Sequence, residues 1–285
     1  MEGPDILVRT LSRGGKPDRF GNSWQYHSRS DRHSKVACWG VLFDMLQQST
    51  QLQSHVEAGR VVFGINKQIR DFRTNRSKDL DLVLARPAGG WTGKSRPRTL
   101  SDLAVHWGIR LDPHQQQVLA GLPPILEGST GIVLAALEAK ACMTAHIKAL
   151  PRLFDELNSS HATVHANNGD AIAVGLAMVN IADTFISTDL NKHDLAAVHP
   201  VVSNHPQPLA ATRAMAKLRE IPRRVHPGSE GFDAFGITVV AMRNDGTPVG
   251  LIDAPPAPQV SDADHYEQML NRFAHLYDTR NARLA

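Results

Sequence analysis

Gly131-Ile-Val-Leu-Ala-Ala-Leu-Glu-Ala-Lys140 opens as an apolar run and ends on a carboxylate and an amine one residue apart. Read as a strand, its side chains alternate between faces, so Glu138 and Lys140 point the same way, roughly 7 Å apart along the chain. Two opposite charges at the end of a buried strand have two readings. One is a salt bridge at a strand end, which contributes little stability. The other is a site in which the carboxylate holds a divalent metal and the amine steers a water or a developing anion.

A second stretch lies upstream, Lys78-Asp-Leu-Asp-Leu-Val-Leu-Ala-Arg86. It is another short apolar strand, with Asp79 and Asp81 two apart and therefore on one face. An acidic strand, a connection, an apolar strand ending in Glu-x-Lys and then a helix resemble the PD-(D/E)xK nuclease superfamily. The match rests on Asp81 followed by Leu-Val-Leu, and on Glu138-Ala139-Lys140 preceded by Val-Leu-Ala-Ala-Leu. It covers residues 35–185 in pattern and a handful of positions in detail. The connection between the two strands is long for that superfamily and is read as an insertion.

The resemblance implies an α/β fold, a restriction-endonuclease-like mixed β-sheet core flanked by helices, with a helical insertion and a C-terminal hairpin plus helix. It implies a metal-dependent DNA endonuclease of restriction or antiviral-defence type. Asp81, Glu138 and Lys140 would be catalytic. Asp81, Glu138 and the Ala139 carbonyl would hold Mg2+, for which Mn2+ can substitute, with Asp79 and Asp44 as further candidate ligands. DNA, expected as a duplex, is the implied partner. Duplex cleavage needs two active sites, which implies a homo-oligomer. Two other readings compete: a non-catalytic nucleic-acid-binding protein using the same basic surface, and a nucleotide-binding phosphate-loop protein.

Composition fits a globular chain. The 285 residues allow one large domain and a sizeable core. The net charge is only +3, so distribution says more than the total. Arg9, Arg13, Lys16, Arg19, Arg29, Arg32 and Lys35 form one basic cluster, and Lys67, Arg70, Arg73, Arg76 and Lys78 another. Arg213, Lys217, Arg219, Arg223 and Arg224 form a third. Such clusters suit a polyanion; a solvated surface is the alternative. Arg32, Lys35, Arg70, Arg73, Arg76, Lys78, Lys148, Arg213 and Lys217 are the candidate backbone contacts. Two cysteines, Cys38 and Cys142, both read into helices, make no disulfide framework. No apolar run reaches bilayer length and no signal-peptide pattern is evident, so a cytoplasmic protein without a membrane partner is expected.

Along the chain, residues 1–33 read as an irregular basic arm, broken by Gly3, Pro4, Gly14, Gly15, Pro17 and Gly21. Residues 34–187 read as the core. Ser34–Gln48 carries Val36, Trp39, Gly40, Phe43 and Leu46 at helical spacing, with Asp44 at the edge of the stripe. Gly59–Asn66 reads as a strand and Lys67–Lys78 as a turn or loop. Ala88–Ser95 fits a relaxed phosphate-loop pattern around Gly93-Lys94. However, Arg96-Pro97 is a poor helix start, and that site needs helix-terminal amides. A Gly-rich turn carrying bases is the simpler account.

The insertion, at about residues 88–128, reads as two helices, the second starting at Asp112-Pro113. Cys142–Leu157 reads as a helix that Pro151 kinks or breaks, with Lys148 on its polar face. Asn158–Asp170 reads as a loop, which argues against a zinc site at His161 and His165. Ala171–Ile181 fits a fully buried strand. Residues 188–285 read as an extension packed on the core. It holds a basic helix at Leu209–Glu220, a hairpin turning at Asn244-Asp245-Gly246, and a last helix with Tyr266, Met269, Leu270, Phe273, Leu276 and Tyr277 on one stripe.

Overall fold

The computed structural model describes residues 1–71, 75–90, 96–226 and 228–284, except the side chain of Arg76. Six strands form one mixed sheet in the order β1(Val62–Asp71), β2(Arg76–Pro87), β3(Thr130–Cys142), β4(Ile172–Asn180), β7(Ala234–Ala241), β8(Gly250–Leu251). β1, β2 and β3 are an antiparallel meander. β3, β4 and β7 are mutually parallel, and β8 closes the edge antiparallel to β7. A small antiparallel pair, β5(Thr184–Ile186) and β6(Val202–Asn204), stands apart.

Helices cover both faces, as parallel strands require. On one face lie α1(Gly3–Leu11), α2(Arg32–Gln48), α3(Thr50–Glu57), α4(Leu100–Trp107) and α8(Tyr266–Arg280), whose Ile6, Trp39, Phe43, Leu103 and Phe273 pack with Leu84, Leu137 and Leu176 of the sheet. On the other lie α6(His146–Asn167) and α7(Leu209–Arg219), with Leu153, Leu157, Met215 and Leu218 against Val83, Ala136 and Ala177. β4 is buried along its whole length, which explains why its sequence shows no alternation. The α/β architecture, with a mixed sheet flanked by helices, is the expected fold class in its coarse form. Between β2 and β3 lie α4 and α5(Pro113–Gly121), and each begins with a complete capping box.

Several local expectations are corrected. The N-terminal segment is not wholly irregular. α1 forms there, with Pro4 in its first turn, where the missing N–H costs nothing. A side chain on Gly40 would come within 2.9 Å of the Gly3 Cα, so the absence of a Cβ is what lets α1 and α2 cross this closely. Lys67–Lys78 is not one loop, because β1 runs to Asp71 and β2 starts at Arg76. Cys142 ends β3 instead of starting a helix, and both cysteines are free and buried. Pro151 does not end α6, which continues to Asn167. Ser160, His161, Thr163 and Val164 are buried there, so packing holds a stretch of weak helix formers in helical form. The segment after residue 187 is more than an overlay, since β7 hydrogen-bonds directly to β4.

Candidate active site

Glu138 and Lys140 fall on the α6 side of β3, in step with the buried Ala136 and Cys142. Their charged ends meet: Lys140 Nζ lies 2.7 Å from Glu138 Oε1 and 3.8 Å from Glu156 Oε2 of α6. β2 and β3 pair Leu82 with Leu137, and one step further along both strands sets Asp81 across from Glu138. Asp81 Oδ2 accepts a hydrogen bond from the Ala139 N–H at 2.8 Å. The sheet thus brings together Asp81, Glu138, Ala139 and Lys140, which lie far apart in the chain.

The electrostatics are those of a strained pair of acids beside one base. Glu138 is only 2% exposed, and its Oε2 has no hydrogen-bond partner among the described residues. Burial, reinforced by the charge of Asp81, raises its pKa, and Lys140 only partly offsets this. Burial also raises Asp81, against the opposing pull of Lys140, the Ala139 N–H and the Ser34 hydroxyl. For Lys140 burial acts downward, but Glu138, Asp81 and Glu156 together outweigh it and hold the amine firmly protonated.

Asp81, Ala139 and Lys140 line a cleft of about 560 Å3 together with Glu156, Lys148, Tyr26, Arg29 and His33, whereas the buried Glu138 side chain does not line it. His33 is pushed down to about 4, mainly by burial and then by the charge of Lys140, so the imidazole is neutral at physiological pH. Its ring packs against Tyr26 at 4.9 Å between centroids. His33, Ser34 and Glu156 were not singled out from sequence. No local pattern marks them, because they reach the site from α2 and α6 through packing alone.

The remaining candidates fall elsewhere. Asp79 is exposed, pairs with Gln68 of β1 and does not line the cleft. Asp44 is buried, and both its oxygens are occupied. Oδ1 takes the Glu2 N–H, and Oδ2 takes the Gly3 N–H and the Tyr266 hydroxyl, all at 2.9 Å. It anchors α1 and α8 to α2 and is not brought to Lys140.

Among the described basic candidates only Lys148 lines the cleft. Arg32 donates to the Gln25 and Thr10 carbonyls, and Lys35 pairs with Asp31 at 2.7 Å. Arg70 is bound to Asn75. Lys78 reaches the Glu156 carbonyl and Ser159 Oγ of α6, and burial lowers its pKa. Arg213 is exposed on α7, and Lys217 bonds Glu220 while lying over the Phe154 ring. Arg73, Lys94 and the Arg76 side chain lie outside the described residues. His161 and His165 do share a helix. Their nitrogens, though, are taken by Asn158, the Gly231 N–H and Asp233, so they are structural.

Among the described residues no three His, Cys, Asp or Glu side chains converge as a ready metal site. Two carboxylates do converge, and the buried Oε2 of Glu138 has no hydrogen-bond partner among the described residues. Buried carboxylate oxygens without a donor are rare, and a bound cation is one arrangement that satisfies them. The donor set therefore fits an ion such as Mg2+, which takes one or two carboxylates and keeps several waters. No helix among the described residues is long and apolar enough to cross a membrane. Comparison of the chain with protein-family models, with curated proteins and with solved structures gave no match.

Proposed function

We propose that the chain is a metal-dependent deoxyribonuclease of the PD-(D/E)xK type that hydrolyses phosphodiester bonds in this cleft. The observation that carries the reading is the unsatisfied, buried Glu138 carboxylate, across from Asp81 and 2.7 Å from Lys140. A binding surface gains nothing from burying two acids beside one lysine, because that arrangement costs stability. The order acidic strand, helical insertion, Glu-x-Lys strand and helix supports the same reading.

Asp81, Glu138 and the Ala139 carbonyl would hold one Mg2+ or Mn2+. When bound, the ion neutralises charge on the phosphate and makes a water more acidic. Lys140 turns from its partner acids to the phosphoryl oxygens, where it stabilises the negative charge that grows in the transition state. Glu156 keeps the ammonium within reach and Lys148 contacts the adjoining backbone. Neutral His33 and Tyr26 form the opposite wall. A role in restriction or defence is in keeping with this chemistry.

One observation favours a second reading, a nucleic-acid-binding protein without catalysis: fewer than three metal-ligating side chains converge among the described residues. Incubation of plasmid and single-stranded DNA with the protein and Mg2+ or Mn2+, with a chelator control, separates the two. Metal-dependent cleavage lost on chelation is expected. Binding without cleavage under both metals would leave the second reading.

A further inference from the structure

The cleft does not end at the N-terminal segment. A groove of about 1030 Å3 continues from it, and Tyr26, Arg29, Ser30, Asp31 and His33 line both. One wall is the segment after α1, and the other is α4 with the turn that follows it. The groove is thus built from the N-terminal segment and the insertion, the two parts least accounted for by a bare hydrolytic site.

Its charge is unbalanced. The acids that line it are already engaged. Asp18 accepts from Trp24 Nε1 at 2.7 Å and from the Phe20 and Asn22 N–H groups, and Asp31 holds Lys35 and Asn66, each at 2.7 Å. Arg32 and Lys35 are engaged as well. Arg13, Lys16, Arg29 and Arg110 are exposed, and their side chains make no hydrogen bond or ion pair among the described residues. Four free cations in one trough form a field for a polyanion.

The groove also carries apolar surface. Trp107 is only half-buried, Tyr26 lies where groove and cleft join, and Val105 on the same wall is 85% exposed. A duplex keeps its base faces stacked inside and has no use for such surface. An unpaired strand presents both a backbone for the cations and base faces for the rings, and that combination is how single strands are bound.

We propose that this groove holds single-stranded DNA and delivers its phosphate to Lys140. The proposal deepens the phosphodiesterase reading, rests on it, and replaces the duplex expected from sequence. The test is binding of a fluorescein-labelled 20-mer of thymidylate, and of a 20-base-pair duplex, by anisotropy in EDTA over a salt series. The single strand should bind at least tenfold tighter than the duplex. Arg13→Ala/Arg110→Ala should weaken it at least tenfold. The same variant should flatten the plot of log affinity against log salt by about 1.4, since each phosphate neutralised on a single strand contributes about 0.7. Val105→Asp, at a position that is 85% exposed, should also weaken single-strand binding while circular dichroism stays native. Equal affinity for the duplex, or unchanged single-strand binding in both variants, overturns the proposal.

The binding and cleavage results are separable. If the wild type cleaves DNA with metal while the variants bind as it does, the groove assignment fails and the nuclease stands. If the variants lose single-strand binding while the wild type cleaves nothing, the groove stands and the nuclease reading fails.

Discussion

Glu138→Gln should make the protein more stable at neutral pH while removing its activity. The wild-type carboxylate is 2% exposed with one oxygen unsatisfied, and burying such a charge costs several kcal/mol even after relaxation. The contact with Lys140 at 2.7 Å returns only part of that. The amide removes the desolvation cost and loses the ion pair, but it does not strand the lysine. Lys140 stays 27% exposed in its side chain, with Glu156 at 3.8 Å. An amide N–H left without an acceptor there would cost about 1 kcal/mol more. The balance is a gain of about 1 kcal/mol, within the range of substitutions that relieve functional-site strain. For a chain of this size that raises Tm by about 2 °C.

The pH dependence has a definite sign. Glu138 has a raised pKa in the folded state. Above the ordinary glutamate range the unfolded chain is ionised while the folded one still holds its proton, so wild-type stability falls as pH rises through the folded pKa. The variant lacks that term. The gap between the two should be near zero at pH 4 and open toward pH 8. Scanning calorimetry of both proteins in EDTA across that range measures it. A variant melting below wild type at pH 8, or a gap constant from pH 4 to 8, would refute the reasoning.

Three further outcomes follow from the same geometry. Asp81→Asn and Glu138→Gln should each abolish Mg2+-dependent DNA cleavage while circular dichroism stays native; full activity in both removes this site from consideration. Lys140→Ala should lower turnover about 10²–10³-fold, the cost of losing one pre-organised donor. Its DNA affinity with Ca2+ in place of Mg2+ should hardly change, and a collapse in affinity with the saturated rate intact would make Lys140 a binding residue instead. Asp44→Ala should destabilise the chain by about 2–4 kcal/mol, since the buried Gly3 N–H and Tyr266 hydroxyl and the part-buried Glu2 N–H lose their acceptor. Its activity per folded molecule should be unchanged, and denaturant unfolding together with a cleavage assay at low temperature checks both halves.

Much of the architecture was legible because it is written in local pattern. The stripe of α2, the Asn244-Asp245-Gly246 turn, the stripe of α8 and the Asp112-Pro113 start of α5 are all short-range signals. What failed to show were elements that packing imposes on unpromising sequence. α1 depends on an acid 41 residues away to cap its N-terminal amides. The second half of α6 runs through Asn158, Ser159, Ser160 and His161, which favour loops until the sheet buries one side of them.

The same division holds at the candidate site. Sequence alone determined that Glu138 and Lys140 share a strand face and that Asp81 sits on another apolar strand, because alternation along a strand is a property of the backbone. It ranked Asp81 first, through the Leu-Val-Leu that follows it, and kept Asp79 and Asp44 as further candidates. Tertiary structure separated their surroundings. The antiparallel register of β2 on β3 set Asp81 across from Glu138, the crossing of α1 and α8 over α2 consumed Asp44, and Asp79 was left facing solvent. Which carboxylate becomes strained depends on which one loses its water, and that is fixed by contacts between segments distant in the chain.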